Sequence, residues 1–290
     1  MICNCCPRKC GAIREDTYGN GFCGCGENLK IAKTMLHKWE EPCISGSNGS
    51  GAIFFSGCSL RCAYCQNYEI SFLGKGEYYT FFELREIILD LKKQGAHNIN
   101  LVNPTHFTRA ISKALAEPVG IPVVYNCGGY ENIDELKALE GKIDIYLADF
   151  KYSDNSLGKK YSNVEDYPEI ALNAVKEMYR QVGDFEIDEN GLMKKGLIIR
   201  HLILPGLGDN TKGVIDIFSK EFEGKKVMFS LMGQYVPMGK VLKEEKYSEI
   251  NKKVSNSMYK KMCDYMNCCN IEYGYTQELS SADSCYTPEF

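Results

Sequence analysis

Residues 57–67 read GCSLRCAYCQN and place three cysteines, Cys58, Cys62 and Cys65, at C-x3-C-x2-C. The apolar run AIFF (52–55) leads into them, and the next Cys or His along the chain is His97. A closed structural zinc site takes four protein ligands. A [4Fe–4S] cluster normally takes four thiolates, one per iron. Three thiolates therefore leave one metal position for a group that is not protein. The other reading is a zinc site completed by Cys43, upstream of the loop CISGSNGSG (43–51), or by a distant Cys or His.

Downstream of this stretch, short apolar runs alternate with helical periodicity. Leu84, Ile87, Ile88 and Leu91 fall on one helical face. NINLV (98–102), IPVVY (121–125), IDIYLADF (143–150), GLIIRHLIL (196–204) and KVMFSLM (226–232) read as strands, with AIFF as the first of six. Helices are expected over 106–117, 131–140, about Ile170 to Val182, about Val214 to Phe222, and 246–266. CNIEYGY is a candidate last strand, and 183–195 a polar excursion or small hairpin. Six βα units in series imply a parallel sheet with right-handed crossovers, either an open doubly wound sheet or a barrel. Polar residues at the strand ends, among them Cys58, Asn126, Asp149, Lys151 and Gln234, favour the barrel, whose site lies at that face. The expected architecture is a partial (β/α)6 barrel over 45–290, with its barrel strands and helices ending near 275, behind a Cys-rich extension over 1–44.

Composition narrows the function classes. The chain is 44% hydrophobic and 25% charged, ordinary globular values, and its net charge is −4 with no Lys/Arg block. A broad nucleic-acid-binding face is not expected. No run approaches the roughly 20 apolar residues of a spanning helix, and MICNCCPRKCG lacks an apolar signal core. A cytoplasmic location without membrane contact is the expectation. The 15 cysteines of so long a chain then point to metal or catalysis rather than to disulfides. Seven of them precede residue 44. Cys127, Cys263, Cys268, Cys269 and Cys285 are scattered and read as small buried hydrophobes.

The stretch GCSLRCAYCQN, with Tyr64 before the last cysteine, resembles the signature of the radical S-adenosylmethionine (SAM) superfamily. It is most similar to proteins related to the pyruvate formate-lyase activating enzyme. The likeness extends to HKWEEPCISGSNGSGAIFFSGC, NINLVNPTH, VVYNCGGYE, IDIYLADFKY, RHLILPG and LMGQYVP, nearly the whole chain. It implies a [4Fe–4S] cluster on Cys58, Cys62 and Cys65, with SAM on the open iron. One electron from a donor such as flavodoxin or ferredoxin would then cleave SAM, in anaerobic chemistry, to methionine and a 5′-deoxyadenosyl radical that abstracts hydrogen. The cofactor carries the hard step; the protein binds, orients and excludes water.

The same resemblance, together with barrel geometry, selects the residues around SAM. Tyr64 would pack against adenine. Where many relatives carry Gly-Gly-Glu, this chain has Asn103-Pro104-Thr105-His106, in which the Thr105 hydroxyl can accept from an ammonium. Asn126 would bond the ribose or methionine end. Asp149 and Lys151, two apart on a strand, point the same way; Lys151 would hold the SAM carboxylate and Asp149 orient it or bind a monovalent cation. Without a ligand the two could pair with each other. Arg200, inside an apolar strand, needs an anion: the SAM carboxylate, or a protein carboxylate such as Asp144. With Arg200 inward, His201 faces the helical layer. His106 either lines the site or caps a helix, and Gln234 would line the adenosine side.

Cys3, Cys6, Cys10 and Cys23 form a second candidate ligand set, C-x2-C-x3-C-x12-C, with Cys5 and Cys25 close by. Zinc and a second Fe–S cluster fit it equally; a reduced thiol-rich tail is the alternative. The function expected is a radical SAM oxidoreductase, like a glycyl-radical-activating enzyme, taking hydrogen from a protein or peptide. A small-molecule or RNA substrate is one rival. An Fe–S electron carrier or redox sensor is another, although electron transfer alone has no need of Asp149, Lys151 and Arg200 beside the cluster.

Overall fold

The computed structural model describes residues 2–277, 279 and 288–290; Cys285 lies outside them. The chain enters the sheet at β1 (Leu29–His37), passes through a short α1 (Pro42–Ser45), and turns into β2 (Ser50–Phe55). A one-turn α2 (Tyr68–Ser71) and β3 (Glu77–Tyr79) lead to α3 (Phe81–Lys93). The alternation then runs β4 (Ile99–Val102), α4 (Thr108–Ala114), β5 (Val123–Cys127), α5 (Ile133–Lys137) and β6 (Ile145–Asp149). Two helices follow, α6 (Asn155–Ser162) and α7 (Tyr167–Val182), then the hairpin of β7 (Glu186–Ile187) and β8 (Met193–Leu202). α8 (Gly208–Glu221), β9 (Met228–Met232), α9 (Asn256–Cys268) and β10 (Gly274–Gln277) complete the order.

The strands lie β10-β9-β8-β6-β5-β4-β2-β1-β3. The six expected strands are all parallel neighbours, and β10 adds a parallel partner to β9. This is the partial (β/α)6 barrel, with helical crossovers between parallel strands. β1 and β3 extend it with antiparallel pairs. β1 escapes the sequence reading because Lys30, Lys33 and His37 break the apolar run of LKIAKTMLH. Its pairing with β2 draws part of the 1–44 segment into the sheet.

Helix ends differ from periodicity for local reasons. α9 starts at Asn256, not near 246, because the Ser255 hydroxyl accepts from the Met258 amide at 3.2 Å and caps it there. The preceding turn, Glu245–Ile250, is 3-10. α6 is absent from the sequence reading; Asp154 caps it, accepting from the Ser156 amide at 2.7 Å. α3 carries a capping box in which the Glu83 carboxylate accepts from the Thr80 amide at 2.7 Å and Thr80 accepts from Glu83 at 3.3 Å.

Strand parity separates two faces. Ile53, Phe55, Ile99, Leu101, Tyr125, Leu197 and Phe229 pack with the helices in the main core. Val124, Ile145, Leu147, Ile198 and Met228 point the other way, into the lumen, where they meet Cys43 and Ile44. Because β1 runs antiparallel to β2, His37 lies beside Ser50, at the start of the parallel strands. Residues 38–45 therefore pass beneath the barrel and close its floor.

Candidate functional site

The loop after β2 carries the three cysteines at the C-terminal end of the sheet. Gly57 turns into it with φ +80°, and a Cβ there would collide with the Cys25 thiol and the Cys23 carbonyl, so only glycine fits. Each thiol accepts a hydrogen bond. Cys58 Sγ accepts from the Leu60 and Arg61 amides at 3.3 and 3.5 Å. Cys62 Sγ accepts from Ser162 Oγ at 3.0 Å, and Cys65 Sγ from Ser71 Oγ at 3.3 Å. Burial, then the neighbouring thiols, push Cys65 up to about 12, and burial followed by Cys62 raises Cys58. Three clustered thiols that repel one another's charge, each with a donor aimed at sulfur, fit a cationic iron–sulfur group, which would stabilise all three thiolates.

Inside the lumen the strand ends assemble a polar cage. Arg200 on β8 donates to Asp149 Oδ1 and Asn126 Oδ1, each at 2.9 Å, and to Glu40 Oε1 at 2.6 Å. Asn126 Nδ2 donates to Glu40 Oε2 at 2.8 Å and Asn100 Nδ2 to the same oxygen at 3.1 Å. Lys151 Nζ donates to Asp149 Oδ2 at 2.6 Å. Burial would raise Asp149, but the Lys151 and Arg200 cations outweigh it and hold the carboxyl below its usual range. Burial would strip Lys151 of its proton; Asp149, then the Cys62 thiol, keep it charged. A Cβ added at Gly128 would lie 2.9 Å from Leu60 Cδ1 and 3.5 Å from Lys151 Cε, so the lysine arm runs beside the cysteine loop.

Asp144 is not the partner of Arg200. It sits exposed before β6, at the opposite end of that strand from Asp149, where its carboxylate accepts from the Val123 amide at 2.8 Å. The partner that sequence reasoning missed is Glu40, which comes up from the floor segment. Its only signal in the sequence is the demand of a buried Arg200 for an anion.

Asn126, Asp149, Lys151 and Arg200 are thus brought together, next to Cys62. Thr105 is not in this group. It lies on the helix-facing side, where its hydroxyl donates to Glu131 Oε1 at 2.7 Å while Tyr125 donates to Oε2 at 2.8 Å. Tyr64 turns its ring into an aromatic wall, 6.2 Å from Tyr161 and 6.0 Å from Tyr235. Its hydroxyl meets Tyr152 at 2.9 Å, and Tyr152 meets Ser162, the donor to Cys62, at 2.8 Å. Gln234 follows β9, and its buried Oε1 has no hydrogen-bond partner among the described residues. His201 is fully buried against the helical layer, bonded to the Phe150 carbonyl at 2.7 Å and Thr211 at 3.1 Å.

The N-terminal segment covers the cysteine loop. Arg8 donates to the Ser59 carbonyl, inside the loop, and to the Ser162 carbonyl at 2.9 Å. Arg14 donates to the His106 carbonyl at 2.7 Å, and Asn103 Nδ2 donates to the Gly57 carbonyl at 2.5 Å. His106 Nε2 sits 2.7 Å from the Ser56 carbonyl. The Asn-Pro-Thr-His segment therefore joins the extension, β2 and β4. Arg14 Nη1 lies 3.8 and 3.6 Å from the Cys3 and Cys5 sulfurs, and Cys25 Sγ donates to the Cys23 carbonyl at 3.5 Å; within each close pair the first thiol is lowered and the second raised by its neighbour. Cys6 is buried and Cys10 exposed. Among the described residues no three His, Cys, Asp or Glu side chains converge as they would on a single metal ion.

The radical SAM superfamily model matches residues 52–211, more than half of the chain, and the chain belongs to that superfamily. Membership implies an enzyme that uses a [4Fe–4S] cluster and SAM. The chain is similar to uncharacterized protein MJ0674 of Methanocaldococcus jannaschii, 30% identical over 284 residues, covering 94% of this chain and 76% of that protein. Its fold resembles that of SuiB from Streptococcus suis bound to the precursor peptide SuiA, with a TM-score of 0.55 at 16% identity over 78% of this chain. SuiB bound to S-adenosylmethionine gives the same values. The chain spans about half the length of SuiB, 48% and 49% in the two structures. Among the described residues no helix is long and apolar enough to cross a membrane.

Proposed function

We propose that Cys58, Cys62 and Cys65 hold the cluster, that the lumen cage holds SAM, and that the substrate is a protein or peptide. The cage carries this reading: four ionic groups, Arg200, Asp149, Lys151 and Glu40, and two amides, Asn126 and Asn100, converge in the lumen beside the cysteine loop. When bound, the cluster and SAM supply a 5′-deoxyadenosyl radical able to take a hydrogen atom. The chain's own groups bind and orient. Lys151 and Arg200 each can turn from Asp149 to a ligand carboxylate, a charge-assisted exchange, and Asp149 so released accepts from a ligand ammonium. Gln234 offers its unpartnered Oε1 to a donor. Ser71, Ser162 and the loop amides keep the three sulfurs in place, and the floor segment bars water from below.

A peptide substrate suits a barrel whose sheet ends, β10 and β3, are not paired to each other, and SuiB, of like fold, is known with a precursor peptide. A reducing partner such as flavodoxin or ferredoxin supplies the electron. Zinc or a second Fe–S cluster on the N-terminal cysteines is part of this proposal, and since no three of the described side chains there converge on one ion, binding would have to draw the thiols together. Iron and zinc analysis of a variant lacking Cys58, Cys62 and Cys65 identifies that metal; absence of both would remove the N-terminal site. The substrate class is tested with peptides carrying deuterium at Cα and side-chain positions, incubated with the reduced holoenzyme and SAM. Deuterium in 5′-deoxyadenosine is expected. Transfer from small molecules or RNA but from no peptide would refute the peptide reading.

A further inference from the structure

Glu289 and Phe290 sit in a seat of their own on the sheet. The Phe290 ring packs edge-on against Phe54, with centroids 5.4 Å apart and planes at 68°. Ala32, Met35, Ala52, Ile70 and Val102 complete the apolar wall. Two lysines hold the backbone above it: Lys33 Nζ donates to the Glu289 carbonyl at 2.7 Å and Lys75 Nζ to the Phe290 carbonyl at 2.9 Å. Phe54 and Val102 have the parity of the lumen face, opposite to Phe55 and Leu101. Ile70 precedes Ser71, whose hydroxyl bonds Cys65. The seat is thus one residue removed from a group that touches a cluster cysteine. It also lies beside β1, whereas β10, which precedes this segment in the chain, is at the far end of the sheet.

The ligand these groups recognise is an extended peptide: an aromatic side chain for the apolar wall, and two successive backbone carbonyls for two ammonium groups. Nothing in this recognition reads the identity of the chain that supplies the peptide. We infer that the seat formed by Phe54, Ile70, Val102, Lys33 and Lys75 is the subsite for an aromatic residue of the substrate peptide, and that Glu289–Phe290 occupies it in place of substrate. The inference rests on the peptide reading above and deepens it. With one residue anchored there, each further residue extends the peptide by about 3.3–3.6 Å, so a neighbouring position comes over the cysteine loop. Substrate and the Glu289–Phe290 segment compete for one seat.

The test is fluorescence anisotropy of fluorescein-Gly-Tyr-Thr-Pro-Glu-Phe-amide with the full chain carrying its cluster. The expected result is weak binding to the parent protein, at least 10-fold tighter binding to Phe290→Ala, and loss of binding when Lys33→Ala and Lys75→Ala are added. A probe ending in Ala instead of Phe should bind none of them. Equal affinity of parent and Phe290→Ala, or equal binding of the Ala-ended probe, would overturn the inference. Phe290→Ala removes only a half-buried side chain, and an unchanged thermal melt verifies its fold. Binding needs no SAM cleavage. Deuterium transfer from peptides without binding at this seat sinks the seat alone; binding here with no transfer from any peptide sinks the peptide-substrate reading alone.

Discussion

Arg200 answers to two carboxylates at once, and their chemistry separates structure from ligand binding. Its side chain and that of Glu40 are each only 13% exposed. Removing one partner of a buried pair leaves an uncompensated charge. Glu40→Ala should therefore lower unfolding free energy by about 3 kcal/mol in denaturant titration; a change within roughly 0.5 kcal/mol, as at ordinary surface sites, would mean that Arg200 finds another anion. Lys151→Ala should weaken SAM binding by about 1–3 kcal/mol, read by equilibrium dialysis, and unchanged affinity would mark Asp149–Lys151 as a purely structural pair. Glu131 gives a pH signature. Burial raises it to about 7 despite hydrogen bonds from Thr105, Tyr125 and Cys127. Its contribution is fully present below about 4.5 and lost as pH rises through about 7, a span of about 3 kcal/mol. Buried His201, lowered to about 4, acts in the opposite sense, its contribution being lost as pH falls from about 6.5. The two slopes offset each other in the parent protein, so the comparison is with a variant: Glu131→Gln should gain stability relative to the parent between pH 4.5 and 7, and a constant difference would contradict the assignment.

At the scale of elements, the parallel strands were legible because each is a short apolar run closed by Pro, Gly or a polar residue. The common direction of Asp149 and Lys151 followed from period-2 alternation, whereas Asn126 and Arg200 were selected by the strand ends, the resemblance and the need of a buried guanidinium for an anion. β1 and the floor segment were not legible, since their partners are distant in sequence and their side chains mix Lys, His and Glu with apolar residues. Glu40 was hidden with them. Thr105 shows the converse: its place after a strand end suggested the lumen, whereas the pairing of Thr105 and Tyr125 with Glu131 puts it behind the sheet. The starts of α3, α5, α6 and α9 are set by side-chain caps. Thr80→Ala should cost α3 about 1 kcal/mol by removing the hydroxyl half of the capping box, visible as a lower denaturation midpoint; no change would assign the α3 start to packing alone.

Across the whole molecule, the barrel brings one cysteine loop, one ionic cage and one peptide-like seat to the same end, while the floor segment closes the other. The N-terminal segment clamps the cysteine loop through Arg8, which bonds the Ser59 carbonyl, and Arg8 and Arg14 tie the segment to Ser162 and His106, the last two contacts linking residues more than 90 apart that no local pattern encodes. In the proposed reading, what makes these parts one site is a cluster held on Cys58, Cys62 and Cys65. The most direct measurement is SAM turnover by anaerobically reconstituted protein with dithionite. The parent protein should yield 5′-deoxyadenosine and methionine, and Cys62→Ala should lose the cluster at that loop and yield neither. A fully loaded cluster that leaves SAM intact, or a Cys62→Ala protein that keeps its full iron content and still cleaves SAM, would contradict the account.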